Sequence, residues 1–242
     1  MSGEPSAAAD FYDAAYRSAG ERGARWRELG AAGKADHVER LLRVRPDQLV
    51  EIGCGDGALL AELGRRDAAR SLHGFDVSEE AVRAARRRGL RSVDVFDGQR
   101  VPVADDAFDV AVLSHVLEHV ADPVALLREA ARTAPTIIVE VPLERSLSGR
   151  RRSRQALSES AGHIHTFEHA EVRRMVDTAG LRLGADLMDP LPAAVHLFFA
   201  ETPGARVAAR IRSAVRRGVF AASPAIAARL FTLHYACVCT RS

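Results

Sequence analysis

Lysine and cysteine are both scarce in this chain of 242 residues. Lys34 is the single lysine, so arginine carries almost all of the positive charge. The three cysteines, Cys54, Cys237 and Cys239, are too few for a disulfide framework and lack the spacing of a metal-binding cysteine cluster. The cysteine content therefore argues against a disulfide-stapled secreted domain and favours a reduced, cytoplasmic protein.

Long apolar runs are also missing. No stretch approaches the ~18 consecutive apolar residues that a membrane-spanning helix needs. The N-terminal sequence MSGEPSAAAD lacks the positive start and the apolar stretch of a secretory signal. Apolar residues make up 47% and charged residues 27%, which is ordinary for a globular chain and argues against disorder, collagen and coiled coil. We expect a single domain overall.

Acidic residues are absent from the C-terminal end. Residues 202–242 contain seven arginines and no acid, whereas residues 1–140 contain 24 acidic and 19 basic side chains. The formal net charge of +2 thus hides an acidic body and a basic tail. Within the tail, residues 206–229 form a basic amphipathic pattern that suits an anionic membrane, a partner subunit or packing on the chain's own sheet. The apolar positions of this pattern are Val207, Ile211, Ala214, Val215 and Val219.

Short apolar runs alternate with helical stretches from about residue 48 to residue 141. Val- and Ile-rich strands separated by helices indicate βαβ units, and hence an α/β fold with a mostly parallel sheet covered on both faces. Predicted strands lie at 48–53, 72–77, 91–96, 108–114 and 136–141, with two more at 181–188 and 233–239. Predicted helices lie at 58–66, from Glu79 after a Ser78 N-cap, from Pro123 to about Thr133, and at 168–179.

Three segments fall outside this alternation. Residues 1–45 are predicted to be an N-terminal helical lid, or equally plain core, preceding a domain at 46–242. Residues 143–165 form a loop that includes the arginine-rich RSLSGRRRSR at 145–154, and residues 190–231 form a helical insertion broken by Pro224. The arginine-rich loop has no aromatic residue for base stacking, which makes RNA binding the least favoured interpretation. A solvent-exposed loop is the favoured interpretation, followed by a contact with an anionic acceptor. No DNA-binding motif is present.

The strongest signal is the sequence LVEIGCGDG at residues 49–57, at the end of the first predicted strand. Glycines at 53, 55 and 57 allow close approach of a ligand to the backbone, and ligands of open parallel sheets bind at this edge. The pattern partly fits a dinucleotide fingerprint, but the acid at Glu51 suits a cationic amino group better than pyrophosphate. Asp76 ends the second predicted strand and can accept hydrogen bonds from ribose hydroxyls, and Asp97 follows the third and can accept one from an adenine amino group.

These motifs together resemble those of the class I S-adenosylmethionine-dependent methyltransferases, particularly the small-molecule branch (types 11 and 23). The resemblance is carried by VEIGCGDG, GFDVS, VFDG and DDAFDVAVLSHVLEHVADP within residues 48–142, and by GHIHTFEHAEVRRMVDTAGL at 162–181. It implies a seven-stranded, Rossmann-like sheet with an antiparallel last strand, with S-adenosylmethionine as cofactor and S-adenosylhomocysteine as product. The implied cofactor site comprises Glu51, Gly53, Cys54, Gly55, Gly57, Asp76, Val77, Asp97, Gly98, Ser114 and His115.

Methyl transfer to a hydroxyl or a protonated amine is helped by a general base, and histidine is the usual choice near neutral pH. His163 and His165 are the preferred candidates, and His115 is a third that equally lines the cofactor pocket. Tyr12, Tyr16, His119 and Glu140 are candidate acceptor-binding residues, each of which could instead be structural. Lys34 and His37 are too isolated to assign. The HxH pattern at 163–165 fixes no further ligand by spacing, so no metal site is predicted.

The sequence thus predicts a cytoplasmic methyltransferase that acts on an oxygen or nitrogen of a small-molecule acceptor. Positioning of the reactants would supply most of the catalysis. Methylation of a protein or RNA is an alternative, as is a cofactor-binding subunit without activity. The basic tail could contact a membrane or a partner, and the sequence does not indicate an oligomeric state.

Overall fold

A computed structural model describes residues 7–149 and 161–241 of the chain. Residues 150–154 of the arginine-rich loop lie outside the described residues. The strands are β1 (Gln48–Ile52), β2 (Ser71–Asp76), β3 (Val93–Val95), β4 (Val110–Ser114), β5 (Thr136–Leu143), β6 (Leu181–Pro190) and β7 (Leu233–Arg241). The helices are α1 (Ala7–Leu41), α2 (Ala58–Arg65), α3 (Glu79–Arg87), α4 (Pro123–Thr133), α5 (His169–Thr178), α6 (Ala193–Phe198), α7 (Pro203–Ala222) and α8 (Pro224–Leu230).

The strands form one seven-stranded sheet in the order β3-β2-β1-β4-β5-β7-β6. Strands β1 to β5 pair in parallel, and β7 is antiparallel to both β5 and β6. The strand order reverses between β1 and β4, which places the ligand-binding crevice of such sheets beyond the carboxyl end of β1. The predicted α/β fold with an antiparallel last strand is confirmed.

Alternate strand residues face two separate layers of core. Leu49 and Val112 pack toward α1, α2 and α3, whereas their neighbours Val50 and Leu113 pack toward α4 and α5. All four side chains are fully buried. Burial on both faces explains why the central strands are continuous apolar runs.

The helix ends use the capping residues that the sequence predicts. The Ser78 side chain accepts a hydrogen bond from the Ala81 amide and caps α3, and Asp122 caps α4 in the same way through Ala125. Helix α1 is broken at Gly20, whose φ of 53° and ψ of −160° are not helical. The break divides α1 into an outer part at residues 7–19 and an inner part at 21–41.

Residues 190–231 contain α6, α7 and α8, and most apolar positions of the basic amphipathic pattern are exposed on α7. Ala209 and Ser213 are the buried residues of α7, whereas Val207, Ile211 and Val215 are more than half exposed. The larger apolar side chains therefore face solvent. Within the described residues, no helix combines the length and the apolar character required to cross a membrane.

Candidate functional site

The glycine loop between β1 and α2 presents bare backbone at the carboxyl edge of the sheet. Gly53 has a φ of 78°, and a Cβ on it would lie 2.3 Å from the Val116 Cγ2 atom. Gly55 has a φ of 55°, and its Cβ would lie 2.3 Å from the Tyr16 hydroxyl. The Gly53 and Cys54 amides donate to the Phe75 carbonyl of β2 and so hold the loop against that strand. Only glycine satisfies both the positive φ and the close contacts at these two positions.

Glu51 is a buried acid at the end of β1 that faces the site. Its side chain is 3% exposed, and its Oε2 atom has no hydrogen-bond partner among the described residues. Burial raises the pKa of Glu51 well above its usual value, and Lys34 partly opposes this increase. A buried carboxylate with an unpaired oxygen needs a cation or a donor.

Asp76 and Asp97 lie at the ends of the next two strands. Asp76 accepts hydrogen bonds from the Gly55 amide at 2.7 Å and the Ser78 amide at 2.9 Å, and burial raises its pKa to about 6. Asp97 is exposed, and its Oδ1 atom accepts from the Arg100 and Gln99 amides, which lower its pKa. Each carboxylate is thus oriented by backbone donors and retains acceptor capacity.

A cavity of about 470 Å³ opens beside the glycine loop. The outer part of α1, the loop after β4 and residues 161–163 enclose it. The predicted site residues that line the cavity are Tyr12, Tyr16, Glu51, Gly53, Cys54, Gly55, Ser114, His115, His119 and His163. The predicted residues outside the cavity walls are Gly57, Asp76, Val77, Asp97 and Gly98, which follow β1, β2 and β3 at the same sheet edge, together with Glu140 and His165.

His163 lines the cavity and is paired with an acid. Its Nδ1 atom lies 2.9 Å from Glu144 Oε2, so the other ring nitrogen, Nε2, is the one left for a ligand. The His119 ring lies edge-on to the His163 ring at 4.7 Å, and its own Nδ1 atom donates to the Gly162 carbonyl. Burial lowers the pKa of His119. The pair of His163 and Glu144 has the arrangement of a general base and its orienting carboxylate.

His165 lies two residues further along the chain but is directed elsewhere. Its Nε2 atom donates to the Val120 carbonyl at 3.0 Å, and its ring stacks on Phe167. Residues two apart in a regular strand point to the same side, so the separation of His163 from His165 reflects the irregular course of this loop, which forms no strand here. The geometry gives His165 a main-chain contact in place of access to an acceptor.

His115 follows β4 with a φ of 57°, which is rare for a residue other than glycine. Its Nδ1 atom lies 3.2 Å from Glu118 Oε1, and its Nε2 atom lies 3.6 Å from Glu140 Oε1. Burial and Lys34 oppose protonation of the ring, but the two carboxylates outweigh them and raise its pKa. Sequence reasoning did not select Glu118 as a site residue, although its i+3 spacing from His115 was a usable signal.

Glu140 lies behind the cavity wall, where it forms the centre of a buried cluster. The Ser114 hydroxyl donates to its Oε2 atom at 3.0 Å, and His37 Nδ1 lies 3.0 Å from its Oε1 atom. Burial raises the pKa of Glu140, but the adjacent His115 and His37 rings outweigh it and lower the pKa well below its usual value. His234 also approaches Glu140, at 3.4 Å. Neither His37 nor His234 was assigned from the sequence, because α1 and β7 meet β5 only in the folded sheet.

The comparisons with known proteins agree with this architecture. The model of the family described as "Methyltransferase domain" matches residues 24–185. The ubiquinone biosynthesis O-methyltransferase of Hahella chejuensis is 29% identical over 107 residues, which cover 42% of this chain and 44% of that protein. The trans-aconitate 2-methyltransferase of Mycolicibacterium gilvum is 35% identical over 148 residues, which cover 57% of this chain and 56% of that protein. The chain spans about half the length of these curated relatives.

Solved structures share the fold along nearly the whole chain. An S-adenosylmethionine-dependent methyltransferase of Thermotoga maritima superposes with a TM-score of 0.67 at 18% identity and covers 97% of this chain and 100% of that one. A methyltransferase of Haloferax volcanii, solved in complex with a methyltransferase activator, superposes with a TM-score of 0.65 at 21% identity, covering 98% of this chain and 99% of that one. The family match extends over more than half of the chain, which therefore belongs to the methyltransferase-domain family of class I S-adenosylmethionine-dependent proteins.

Proposed function

We propose that the chain transfers the methyl group of S-adenosylmethionine to an oxygen of a small-molecule acceptor, with His163 as the general base. S-adenosylhomocysteine is the product. A nitrogen acceptor is the second choice, because one sequence relative is named an O-methyltransferase.

The cofactor is assigned to the carboxyl edge of β1, β2 and β3. Glu51 accepts from the amino group of the methionine moiety, which satisfies its unpaired oxygen. Asp76 accepts from the ribose hydroxyls and Asp97 from the adenine amino group. Gly53 and Gly55 keep the loop between these acids free of side chains, and the Val116 and Tyr16 side chains approach its backbone closely.

The observation that carries the proposal is that a single cavity contains both Glu51 and His163. Its volume of about 470 Å³ lies within the range of roughly 300–1,000 Å³ typical of small-molecule sites. A methyl donor anchored at Glu51 and an acceptor beside His163 would thus share one cavity. Holding two reactants in one orientation is the main contribution a protein makes to this reaction.

In the proposed mechanism, the cofactor supplies a methyl group activated by its positive sulfonium. His163 Nε2 removes the acceptor's hydroxyl proton while the acceptor oxygen forms its bond to the methyl carbon. The bond from carbon to sulfur breaks, and its electron pair stays on sulfur. Glu144 holds the His163 ring through Nδ1 and stabilises the imidazolium that forms.

The outer part of α1 is proposed to be a lid over this cavity, consistent with the N-terminal segment expected at 1–45. Tyr12 and Tyr16 line the cavity, and the Tyr16 hydroxyl approaches Gly55 of the glycine loop. Asp13 accepts hydrogen bonds from the Ser78 hydroxyl at 2.5 Å and the Glu80 amide at 3.1 Å, which ties the lid to the start of α3. A lid of this kind excludes water from the reacting groups.

The basic tail is proposed to rest on an anionic lipid surface. Val207, Ile211 and Val215 form an exposed stripe along one face of α7, at a spacing of four residues. Residues 202–242 contain seven arginines and no acid, so the surroundings of the stripe match anionic headgroups in charge.

The test is turnover of labelled S-adenosylmethionine against a library of hydroxylated and aminated metabolites, with product analysis by mass spectrometry. The proposal expects a small acceptor that gains one methyl group on oxygen. Methylation of only protein or RNA would overturn the acceptor class. Cofactor binding without any transfer would indicate a subunit that binds the cofactor and has no activity.

A further inference from the structure

Three histidine nitrogens converge on one carboxylate oxygen in the buried cluster behind the cavity. His37 Nδ1 lies 3.0 Å, His234 Nδ1 3.4 Å and His115 Nε2 3.6 Å from Glu140 Oε1. The Glu140 and His37 side chains are each 2% exposed. These residues come from α1, β5, β7 and the end of β4, so the convergence is a product of the fold.

Hydrogen bonding accounts for only part of this convergence. Among the described residues, the contact between His37 and Glu140 is a hydrogen bond, whereas the approaches of His234 and His115 are not. The buried Nε2 atom of His115 has no hydrogen-bond partner at all in the described part of the chain. Burying polar atoms that face one another without a hydrogen bond between them lowers the stability of the folded state. A cation between them would remove that cost.

We propose that His37 Nδ1, Glu140 Oε1 and His234 Nδ1 bind a divalent transition-metal ion of the zinc class. One ligand atom from each of the three residues lies within 4.8 Å of those of the other two. Two ligands of one ion, each about 2.0–2.2 Å from it at tetrahedral or octahedral angles, lie roughly 3.0–3.5 Å apart. The distances of 3.0 and 3.4 Å to Glu140 fall in that range. Two histidines and one carboxylate are a set that such metals accept while keeping open positions.

The groups around these ligands also suit a metal. The other ring nitrogen of His37, Nε2, lies 3.1 Å from Asp189 Oδ2, and the Ser114 hydroxyl holds Glu140 Oε2 at 3.0 Å. Metal-binding histidines usually donate their other ring N–H to a carboxylate, and metal-binding carboxylates usually accept a hydrogen bond from a neighbouring donor. The sheet supplies both, because Ser114 pairs with Glu140 across β4 and β5, and Asp189 pairs with His234 across β6 and β7.

His234 and Ser114 line the cavity, so an ion at this site would be accessible to a ligand in the cavity. Its open position would face the cavity, where it could polarise an acceptor oxygen. That role rests on the proposed methyl transfer, whereas the metal site itself does not.

A second group, Glu118, His119 and His163, also has ligand atoms within 4.8 Å of one another. The Nδ1 atoms of its histidines contact the Gly162 carbonyl and Glu144, which leaves the Nε2 atoms, and Nε2 of His163 is the proposed base of the methyl transfer. This group therefore serves as an internal comparison for the experiment.

The full chain is first treated with a chelator and is then titrated with Zn²⁺ by calorimetry. Elemental mass spectrometry counts the bound ions. Co²⁺ provides a visible spectrum that reports nitrogen and oxygen ligands. The wild-type chain is expected to bind one ion. His234→Gln should lose that ion, and Asp189→Asn should bind it roughly 10–100-fold more weakly. His165→Ala removes a half-buried histidine that belongs to neither group of candidate ligands and should bind as the wild type does.

Affinity for S-adenosylhomocysteine in each variant verifies that the protein is folded. Retained cofactor binding with lost metal binding in His234→Gln supports the proposal. Unchanged metal affinity in His234→Gln, loss of the ion only in His163→Ala, or no binding to the wild-type chain would overturn it. None of these results depends on turnover, so failure of the metal site is distinguishable from failure of the proposed function.

Discussion

At the scale of single residues, the chemistry of the cavity depends on which side chain faces the acceptor. His163→Ala removes the proposed base and should lower kcat roughly 10²–10⁴-fold. Its affinity for S-adenosylhomocysteine should stay nearly unchanged, because Glu51 and Asp76 remain. Steady-state kinetics and calorimetry measure the two quantities.

His165→Ala is the matched control for that substitution. It removes a histidine of the same segment that contacts the Val120 carbonyl and not the cavity. Turnover close to that of the wild type is expected. Full activity in His163→Ala would remove His163 from the mechanism.

Sequence reasoning could place the acids and glycines of the site but not select among the histidines. Glu51 and Asp76 lie at the carboxyl ends of β1 and β2, and Asp97 follows β3, so their common edge could be predicted from local patterns. The choice between His163 and His165 depends on the direction of an irregular loop. The partners of Glu140 depend on the pairing of β5 with β7 and on the position of α1, both of which are long-range features.

At the scale of elements, the break in α1 places the outer part of the helix over the cavity. Gly20 adopts a conformation that only glycine reaches readily, and a Cβ there would meet open space. Gly20→Ala should therefore lower the free energy of unfolding by about 1–3 kcal/mol through backbone strain alone. Denaturant unfolding followed by circular dichroism measures this change.

Gly33→Ala is the comparison variant within the same helix. Gly33 lies inside α1, and its Cβ would make only an ordinary contact, 3.9 Å from Pro192 Cγ. The substitution should raise the free energy of unfolding by roughly 0.5–1 kcal/mol. Equal stabilisation by both substitutions would show that α1 has no required break at Gly20.

The elements themselves were largely predictable, since strands and helices follow from periodicity and capping residues. The third strand is shorter than predicted, Val93–Val95 in place of 91–96. The sequence left open whether the apolar positions of α7 pack on the chain's own sheet, and the structure leaves Val207, Ile211 and Val215 exposed and buries Ala209 and Ser213. Periodicity identifies an apolar face but not whether that face is covered.

At the scale of the whole molecule, the uneven charge distribution predicts that the basic tail is the part of the chain that contacts an anionic lipid surface. The chain should float with vesicles containing anionic lipid at low salt, and not with neutral vesicles. Ile211→Ser should weaken the partition about tenfold by removing buried apolar area. Val44→Ser alters a residue that is 78% exposed outside the tail and should have no effect. Flotation of wild type and Ile211→Ser to the same extent would contradict a role for the stripe.

The acidic body has a different role, because its buried acids form the proposed cofactor site. Burial raises the pKa of Asp76 to about 6, so its carboxylate is ionised above that pH and accepts hydrogen bonds there. Affinity for the cofactor should fall as the pH decreases through about 6 and the carboxyl becomes protonated. Asp76→Asn should bind weakly, with little dependence on pH in this range.

Calorimetric titration of the chain with S-adenosylhomocysteine and with NADH at pH 8, repeated at pH 5.5, tests the cofactor site most directly. The account predicts binding of S-adenosylhomocysteine in a ratio of one to one at pH 8, weaker binding at pH 5.5, and no binding of NADH. Binding of NADH without any binding of S-adenosylhomocysteine would contradict the assignment of Glu51, Asp76 and Asp97 to S-adenosylmethionine.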